Sequence, residues 1–404
     1  MKSPIIRPEK PEEFREMEEL VRDAFWDRYS PGACEHLVVH KMRTSPAAYP
    51  PLCLAAETEG KLAGGIWYAR AAVRGKDGES FPVLTLGPVA VRPGLQGQGI
   101  GSALIRRTLE NLPADCRAVV LYGDPAYYGG FGFRPASEFG VTDSAGEVCP
   151  ALQVFPAGEV PAGAFDEGAV YAVTPEEVRR FDRDFPHRQK HINSKQLFFL
   201  PPGPPPEDPV LRRSWELGRR AERVLRESGM LEVWESLGAK IRSVGSFRTD
   251  LMMKDRDIDL HVYTETLDPE RVRKAVTPLL ASGKVRKLAY ADNSGTDEHC
   301  LEWHWLLSGG GSELWSFDVI QIAAGSAFDG FFEDTAEALI DVLTPADRRK
   351  ILELKAAEPE NSNICGMEFC RAVLEGNVTD WNAFLAWRRS VPPETLLHWR
   401  PKKG

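Results

Sequence analysis

A run of nine residues near the middle of the chain contains six prolines and constrains the fold more than any other segment. It reads Pro201-Pro-Gly-Pro-Pro-Pro-Glu-Asp-Pro209. Proline lacks a backbone N–H and has a fixed φ, so this run can neither continue a helix nor pair inside a sheet. The chain has 404 residues, more than one hydrophobic core normally organises. We therefore predict two domains, at residues 1–200 and 210–404, joined by a proline-rich linker at residues 201–209.

The composition is typical of a folded protein with an acidic surface. Hydrophobic residues make up 43% of the chain, charged residues make up 27%, and the net charge is −9. This balance disfavours binding to nucleic acid or to an anionic membrane, because both attract basic surfaces. Seven cysteines with scattered spacing are typical of reduced thiols. The chain shows neither an apolar signal core nor an apolar stretch of membrane-spanning length, so we expect a cytoplasmic protein.

The first half alternates β-like and helical runs. Residues 11–25 predict an acidic amphipathic helix, and residues 52–57 and 64–73 predict a β-hairpin. Residues 81–91 predict a strand that leads into the glycine-rich turn Gln96-Gly-Gln-Gly-Ile-Gly101, and a helix follows from about Gly99. Glycines let a backbone approach an anion closely, and the free N–H groups of a helix start attract a pyrophosphate. The turn therefore predicts a phosphate-binding site.

This turn resembles the Gln/Arg-x-x-Gly-x-Gly/Ala motif of the GNAT superfamily of N-acetyltransferases. The similarity extends upstream to the run PVAVRP that ends at Pro93, and downstream to Gly123-Asp-Pro-Ala-Tyr-Tyr128, which is typical of a predicted-acetyltransferase branch of that family. The resemblance implies a mixed, mostly antiparallel sheet flanked by helices, with acetyl-CoA as acetyl donor. It also implies that the pantetheine arm lies along Val89, Ala90 and Val91. The residues implied to hold the pyrophosphate are Gln96, Gly97, Gln98, Gly99, Ile100, Gly101 and Ser102.

The same resemblance implies how the acetyl group is transferred. An amine of a small molecule or a peptide attacks the thioester directly, and a tyrosine five residues before the phenylalanine of Gly-Phe protonates the leaving thiolate. Counting back from Phe133 gives Tyr128. The strand at residues 81–91 lacks the glutamate that several family members carry as proton acceptor. A water chain or Asp124 is the alternative, and Asp124 is equally well explained as a turn former before Pro125.

The second half contains a cluster of carboxylates. Asp257 and Asp259 lie two residues apart on a strand predicted at residues 256–263, so both point to one face of the sheet. Neighbouring carboxylates repel each other, and Mg²⁺ offsets that repulsion with the ligand type it prefers. A further carboxylate, Asp318, lies on a strand predicted at residues 313–322. Gly245 and Ser246 precede the cluster and offer N–H and hydroxyl groups to a phosphate.

This arrangement resembles the polymerase-β-like nucleotidyltransferase superfamily, whose pattern is Gly-Ser, a short loop and then Asp-x-Asp. The resemblance implies an α/β domain with trailing helices. It implies that Asp257, Asp259 and Asp318 are catalytic and bind Mg²⁺. It also implies that Gly245 and Ser246 bind a nucleoside triphosphate.

Three finer expectations concern the local structure of the second half. Residues 210–237 predict one helix, and residues 269–280 predict another. The run Ser308-Gly-Gly-Gly-Ser312 predicts a hairpin loop. If the register is symmetric about Gly310, Glu302 lies opposite Asp318 as a fourth acid, and His304 shares its face.

Three hypotheses for the whole chain follow. The first is a bifunctional enzyme that acetylates an amine and transfers a nucleotidyl group. The second is an acetyltransferase whose other domain is a catalytically inactive nucleotide-binding or scaffolding module. The third is a nucleotidyltransferase directed at tRNA, and the acidic charge balance counts against it.

Overall fold

The structure is a computed structural model. It describes residues 3–201, 203–296, 298–310, 313–359, 362, 364–392 and 399–401. The chain forms two compact units. The first contains residues 1–26 and 32–188, and the second contains residues 27–31 and 189–404. The division therefore falls before the proline-rich run. Residues just ahead of that run belong to the second unit because the buried Phe199 joins its core and donates its N–H to Glu222 (2.7 Å).

The first unit contains nine strands and five helices among its described residues. The strands are β1 (Ile5–Pro8), β2 (Leu54–Thr58), β3 (Lys61–Arg74), β4 (Ser80–Val91), β5 (Ala118–Tyr122), β6 (Arg134–Pro135), β7 (Val141–Thr142), β8 (Leu152–Pro156) and β9 (Gly163–Asp166). The helices are α1 (Phe14–Phe25), α2 (Glu35–Thr44), α3 (Ile100–Leu109), α4 (Pro125–Tyr128) and α5 (Pro175–Asp182). The predicted first helix, hairpin and third strand are confirmed within a few residues.

These strands form one mixed sheet in the order β1-β2-β3-β4-β5-β8-β6, with β9 paired to both β3 and β7. Most neighbours are antiparallel, while β4 and β5 are parallel, as are β7 and β9. One face packs against α1 and α2 through a cluster that includes Met17, Val38 and Ala90. The other face packs against α3 through a cluster that includes Leu86 and Leu104. The side chains of β4 alternate between the two faces, and the alternation changes phase between Leu86 and Val89, where the register with β3 shifts.

The second unit contains five strands and nine helices in the described ranges. The strands are β10 (Lys240–Ser243), β11 (Asp257–Thr264), β12 (Val285–Asp292), β13 (Cys300–Ser308) and β14 (Leu314–Ala323). The helices are α6 (Pro209–Ser228), α7 (Met230–Ser236), α8 (Gly245–Thr249), α9 (Pro269–Ala275), α10 (Thr277–Ala281), α11 (Phe331–Val342), α12 (Pro345–Ala357), α13 (Gly366–Leu374) and α14 (Trp381–Ser390).

Two predicted helices of this unit are each divided in the structure. The expected helix at residues 210–237 breaks at Gly229, whose φ of 83° ends α6 in the left-handed conformation that glycine adopts without strain. The expected helix at residues 269–280 is also two segments, α9 and α10, with Pro278 in the first turn of the second. A proline is tolerated at a helix start but removes a hydrogen bond inside a helix.

The second sheet has the order β10-β11-β14-β13-β12, with β11 and β14 parallel and the other pairs antiparallel. Its core includes three tryptophans that are almost fully buried, Trp303, Trp305 and Trp315. Helices α12, α13 and α14 pack in a second apolar cluster that contains Phe369 and Phe384. No helix within the described ranges has both the length and the apolar composition that a bilayer crossing requires.

Candidate acetyl-donor site and carboxylate cluster

The glycine-rich turn after β4 is open to solvent on the side where a ligand would lie. Gly97 and Gly99 have φ values of 73° and 84°, a region that side chains rarely adopt. A Cβ at either position would meet no atom within 4 Å. The turn is held by its own glutamine, because Gln96 Nε2 donates to the carbonyl oxygen of Val91 (3.0 Å). The glycine rim is therefore shaped by backbone and is not filled by side chains.

Helix α3 begins directly after this rim. Gly99 is its N-cap residue and no side chain caps the helix. The first amide N–H groups of a helix have no partner inside it, so they remain available to an anion, which the helix dipole also attracts. Ile100, Gly101 and Ser102 supply these groups. The predicted pyrophosphate residues are thus brought together at one helix start.

Strand β4 separates from β5 next to this helix. The two strands pair only at Leu84 with Val119 and at Thr85 with Val120. Farther along β4, residues 89–91 pair with β3 on one side and have no strand partner on the other within the described structure. An unpaired edge presents backbone N–H and C=O groups that can bond to an extended amide-containing ligand. Val89, Ala90 and Val91 lie on this edge, where the pantetheine arm was predicted.

Two tyrosines of α4 lie beside the edge and the helix start. The hydroxyl of Tyr127 lies 3.3 Å from the position that a Cβ on Gly101 would occupy. The ring of Tyr128 packs so closely on Gly123 that a Cβ there would come within 2.3 Å of it, and it also meets Phe133 edge-on at 5.6 Å between centroids. Tyr128 is therefore fixed in orientation on the α3 face of the sheet. Sequence reasoning singled out Tyr128 but not the proximity of Tyr127 to the turn.

Asp124, the alternative proton acceptor, is engaged in local structure. Its Oδ1 accepts a hydrogen bond from the N–H of Ala126 (2.9 Å) as the N-cap of α4. The observed contacts of Asp124 are therefore those of a turn former. A carboxylate that sequence reasoning missed, Glu167, follows β9. Burial raises its pKa to about 7.

In the second unit, the three predicted metal ligands come together. Asp259 and Asp318 are direct neighbours on the parallel strands β11 and β14, and Asp257 lies two residues before Asp259 on the same face. Burial, and then the charges of Asp257 and Asp318, raise the pKa of Asp259. Burial is also the largest cause that raises the pKa of Asp257, while Lys355 lowers it. The three carboxylates therefore share one face of two neighbouring strands, but their ligand atoms do not all lie within 4.8 Å of one another in the described structure.

The predicted phosphate-binding residues stand directly against this cluster. Gly245 has a φ of 63°, and a Cβ on it would come within 1.9 Å of Asp259 Oδ2, so only glycine allows this approach. Ser246 Oγ accepts a hydrogen bond from Lys355 Nζ (2.7 Å), and Lys355 also donates to the carbonyl oxygen of Leu251 (2.9 Å). Lys355 comes from α12, far along the chain, and sequence reasoning missed it.

The predicted register of the β13–β14 hairpin is wrong by two residues. His304 lies opposite Asp318, and Glu302 lies opposite Ile320. The hairpin is closed by Ser308 and Leu314, so its centre falls at residue 311 and not at Gly310. Because the error is an even number of residues, all three side chains still share one face. His304 bridges the two acids, with Nδ1 2.6 Å from Asp318 and Nε2 3.0 Å from Glu302.

The first unit matches a known family. The family described as acetyltransferase (GNAT) domain matches residues 5–136. An uncharacterized N-acetyltransferase of Escherichia coli strain K12, YjhQ, is 37% identical over 101 residues, which is 25% of this chain. The chain spans 55% of the length of that curated relative.

Solved structures with similar chains include two of the same family. A GNAT family acetyltransferase from Brucella melitensis, in complex with acetyl-CoA, is 28% identical, with 42% of this chain and 99% of that chain covered and a TM-score of 0.34. The Escherichia coli GNAT family N-acetyltransferase YhbS, in complex with CoA, is 24% identical, with coverages of 43% and 94% and a TM-score of 0.38.

Residues 5–136 thus match the acetyltransferase (GNAT) family model, and the mixed α/β fold class predicted for the first unit is confirmed. The mixed α/β architecture predicted for the second unit, with trailing helices, is likewise observed.

Proposed function

We propose that the first unit is an acetyl-CoA-dependent N-acetyltransferase that acts on an amine of a small molecule or a peptide. The observation that carries this proposal is the open glycine rim at the start of α3, beside the unpaired edge of β4. The rim offers N–H groups to a pyrophosphate, and the edge offers backbone groups to the pantetheine amides. The match of residues 5–136 to the GNAT family model and the similarity to an N-acetyltransferase support the same activity.

The residues around the glycine rim have separate roles in the proposed reaction. The turn at residues 96–102 holds the diphosphate, and residues 89–91 align the thioester with the opening between β4 and β5. Tyr128 protonates the departing thiolate, a role that suits a phenol fixed by packing on the same face as α3. Holding the two reactants together removes most of the entropic barrier to a direct attack.

Titration calorimetry of the full chain with acetyl-CoA tests the proposal. We expect one site in the micromolar range and release of free thiol when an amine is added. Absence of heat for acetyl-CoA would remove the acetyltransferase assignment. CoA should compete with acetyl-CoA for the same site, because the predicted contacts are to the diphosphate and the pantetheine arm.

For the second unit we propose a Mg²⁺-dependent nucleotidyltransferase. Asp257, Asp259 and Asp318 would hold Mg²⁺, which supplies charge neutralisation for a nucleoside triphosphate. Gly245 and Ser246 would contact the phosphates, and Lys355 adds a positive charge at Ser246. The position of the three acids on one face of neighbouring strands, with Gly245 against Asp259, supports this assignment over a purely scaffolding module. The acidic chain still disfavours tRNA as acceptor.

The variant Asp257→Ala tests this second assignment in the full chain. We expect calorimetry with MgCl₂ and with Mg-ATP to lose its signal, while acetyl-CoA binding is unchanged. Asp255→Asn is the matched control, because Asp255 is an exposed loop carboxylate close in sequence. A wild-type chain that binds Mg-ATP without turning it over would identify an inactive nucleotide-binding module instead.

A further inference from the structure

A half-buried carboxylate, that of Glu167, belongs to the segment after β9 that contacts both strands bordering the opening between β4 and β5. Glu167 follows β9 directly, and Tyr171, four residues later, donates its hydroxyl to the carbonyl oxygen of Gly87 (2.8 Å). Gly87 lies on β4 just beyond the last pair with β5. The ring of Tyr122, at the end of β5, contacts Phe165 of β9 at 6.0 Å between centroids. Both strands that border the opening thus touch the segment that carries Glu167.

Glu167 lies close to the hydroxyl groups of both tyrosines. Burial raises the pKa of Tyr122 to about 12, and the charge of Glu167 is the next largest cause. Burial and then the charge of Glu167 raise the pKa of Tyr171 as well. The charge of Glu167 therefore acts on one hydroxyl at the end of β5 and on another that is bonded to the middle of β4.

Other carboxylates near this opening are occupied by structural contacts. Asp124 caps α4, and Asp143 accepts the N–H groups of Ala145 and Glu147 in a turn. Asp166 pairs with Arg74. The carboxylate of Glu167, by contrast, accepts no hydrogen bond from any group in the described part of the chain, and burial alone shifts its pKa.

Glu167 also approaches from the side opposite to the acetyl donor. Tyr171 packs against the cluster formed with α1 and α2, whereas Tyr128 packs against the cluster formed with α3. In a direct attack the amine approaches one face of the planar thioester carbonyl, whereas the leaving sulfur lies in the plane. The group that accepts the first proton of the amine can therefore differ from Tyr128, which protonates the sulfur.

We propose that Glu167 is the catalytic base that accepts a proton from the acceptor amine, an assignment that rests on the proposed acetyltransferase function. The substrate ammonium gives one proton to the Glu167 carboxylate, and the nitrogen lone pair then attacks the thioester carbonyl carbon. The C–S bond breaks, and the sulfur takes a proton from Tyr128. Tyr128 regains a proton from the nitrogen, and Glu167 releases its own proton to water. The products are the acetamide, CoA thiol and one proton.

The carboxylate of Glu167 suits this task because its pKa lies near neutral pH. A base is most effective when its pKa lies near the operating pH, and that of Glu167 is raised to about 7. A carboxyl with a raised folded-state pKa destabilises the fold once pH rises above its unfolded value of about 4.3. Such a residue is characteristic of a functional site and not of a stabilising contact.

The test compares full-length Glu167→Gln with wild type. Glu159→Gln is the control, because it makes the same chemical change at an exposed glutamate of the same unit. Thiol release from acetyl-CoA is measured with putrescine, with the peptide Ala-Lys-Ala and with water alone, over a range of pH. We expect Glu167→Gln to lower kcat/KM by about 10²- to 10⁴-fold and to remove the limb of the pH profile near 7. Acetyl-CoA affinity should remain the same.

A stability measurement separates a catalytic role from a structural one. We expect the urea midpoint of Glu167→Gln at pH 8 to equal or exceed that of wild type, with the two converging near pH 4. A lower midpoint at pH 8, a joint loss of acetyl-CoA affinity, or turnover within about threefold of wild type would overturn the assignment to Glu167. A wild-type chain that binds acetyl-CoA and releases no thiol would overturn it too. Failure of the wild type to bind acetyl-CoA would instead remove the proposed function itself.

Discussion

The phenolic oxygen of Tyr127 lies 3.3 Å from the point where a Cβ on Gly101 would stand, and the side chains of Val91 and Val89 lie 3.5 and 3.9 Å from the same point. This spot joins the start of α3 to the unpaired edge of β4. In the binding mode proposed above, acetyl-CoA runs from the glycine rim along β4 and passes over this spot. The absence of a side chain at residue 101 therefore keeps the path open.

Gly101→Ala should weaken acetyl-CoA binding while leaving the fold intact. The added methyl group narrows the path, and we expect the dissociation constant to rise about tenfold, equivalent to about 1.4 kcal/mol. Alanine favours a helix over glycine by up to about 1 kcal/mol, so thermal stability should not fall. Calorimetry and a melting curve measure both effects. Gly94→Ala is the control, since a Cβ there meets nothing within 4 Å, and an equal loss in that variant would contradict the interpretation.

Tyr128→Phe should reduce acetyl transfer with little change in acetyl-CoA affinity. The ring keeps its packing against Gly123 and Phe133, and only the proton donor is lost. General acids of this kind contribute about 10²- to 10⁴-fold, so turnover should fall by that order. Tyr127→Phe should instead change affinity for acetyl-CoA, because its hydroxyl lies at the helix start. Steady-state thiol release measures turnover and calorimetry measures affinity for both variants. Lower turnover in Tyr127→Phe and lower affinity in Tyr128→Phe would exchange the roles of the two tyrosines.

Lys355→Met should weaken binding of Mg-ATP to the second unit. The substitution removes the positive charge beside Ser246 but keeps an unbranched side chain in its place. An isolated charge-assisted hydrogen bond contributes about 1.5–3 kcal/mol, so we expect a loss of affinity of about 10- to 100-fold. Lys350→Met, at an exposed position of the same helix, is the matched control. Unchanged affinity measured by calorimetry in Lys355→Met would separate this lysine from the nucleotide.

Asp182→Asn should destabilise the first unit in a pH-dependent way. Burial would raise the pKa of Asp182, but the neighbouring His36 and Arg22 lower it to about 2, and Arg22 Nε lies 2.6 Å from Oδ1. A lowered folded-state pKa adds stability above the unfolded value of about 3.9, and that stability is lost as pH falls toward 2. We expect a loss of about 2 kcal/mol at pH 7 that disappears near pH 2.

Urea unfolding of the full chain at several pH values measures this difference. Asp23→Asn is the comparison, because Asp23 forms an exposed ion pair with Arg188 that contributes at most about 1 kcal/mol. A loss in Asp182→Asn that persists unchanged at pH 2 would show that its charge is not the cause.

Sequence reasoning succeeded where the signal is local. The turn from Gln96 to Gly101 combines a strand end, positive-φ glycines and a helix start within a few residues, and each of these follows from short-range chemistry. Asp257 and Asp259 lie on one face because a strand alternates its side chains. The register at His304 was missed because a glycine-rich loop fixes its own centre only weakly, and a shift of that centre by one residue moves every pair by two.

Other site residues could not be found in the same way because they approach through tertiary structure. Glu167 lies outside every motif, and its segment reaches β4 and β5 only through the contacts of Tyr171 with Gly87 and of Phe165 with Tyr122. Lys355 reaches Ser246 from a helix more than a hundred residues later in the chain. In each case the contacts that give the residue its proposed role form only in the folded protein. The sequence alone shows a charged residue without a motif around it.

Residues 27–31 belong to the second unit although the chain on both sides of them belongs to the first. Their backbone is bound there, since Gln196 Nε2 donates to the carbonyl oxygen of Asp27 (3.0 Å) and the N–H of Leu197 donates to that of Tyr29 (2.8 Å). Two domains joined end to end have a single junction. This chain instead passes from one unit to the other three times, after residues 26, 31 and 188. A truncation at the proline-rich run therefore does not separate the two units. Expression of either unit alone requires a decision on where residues 27–31 are placed.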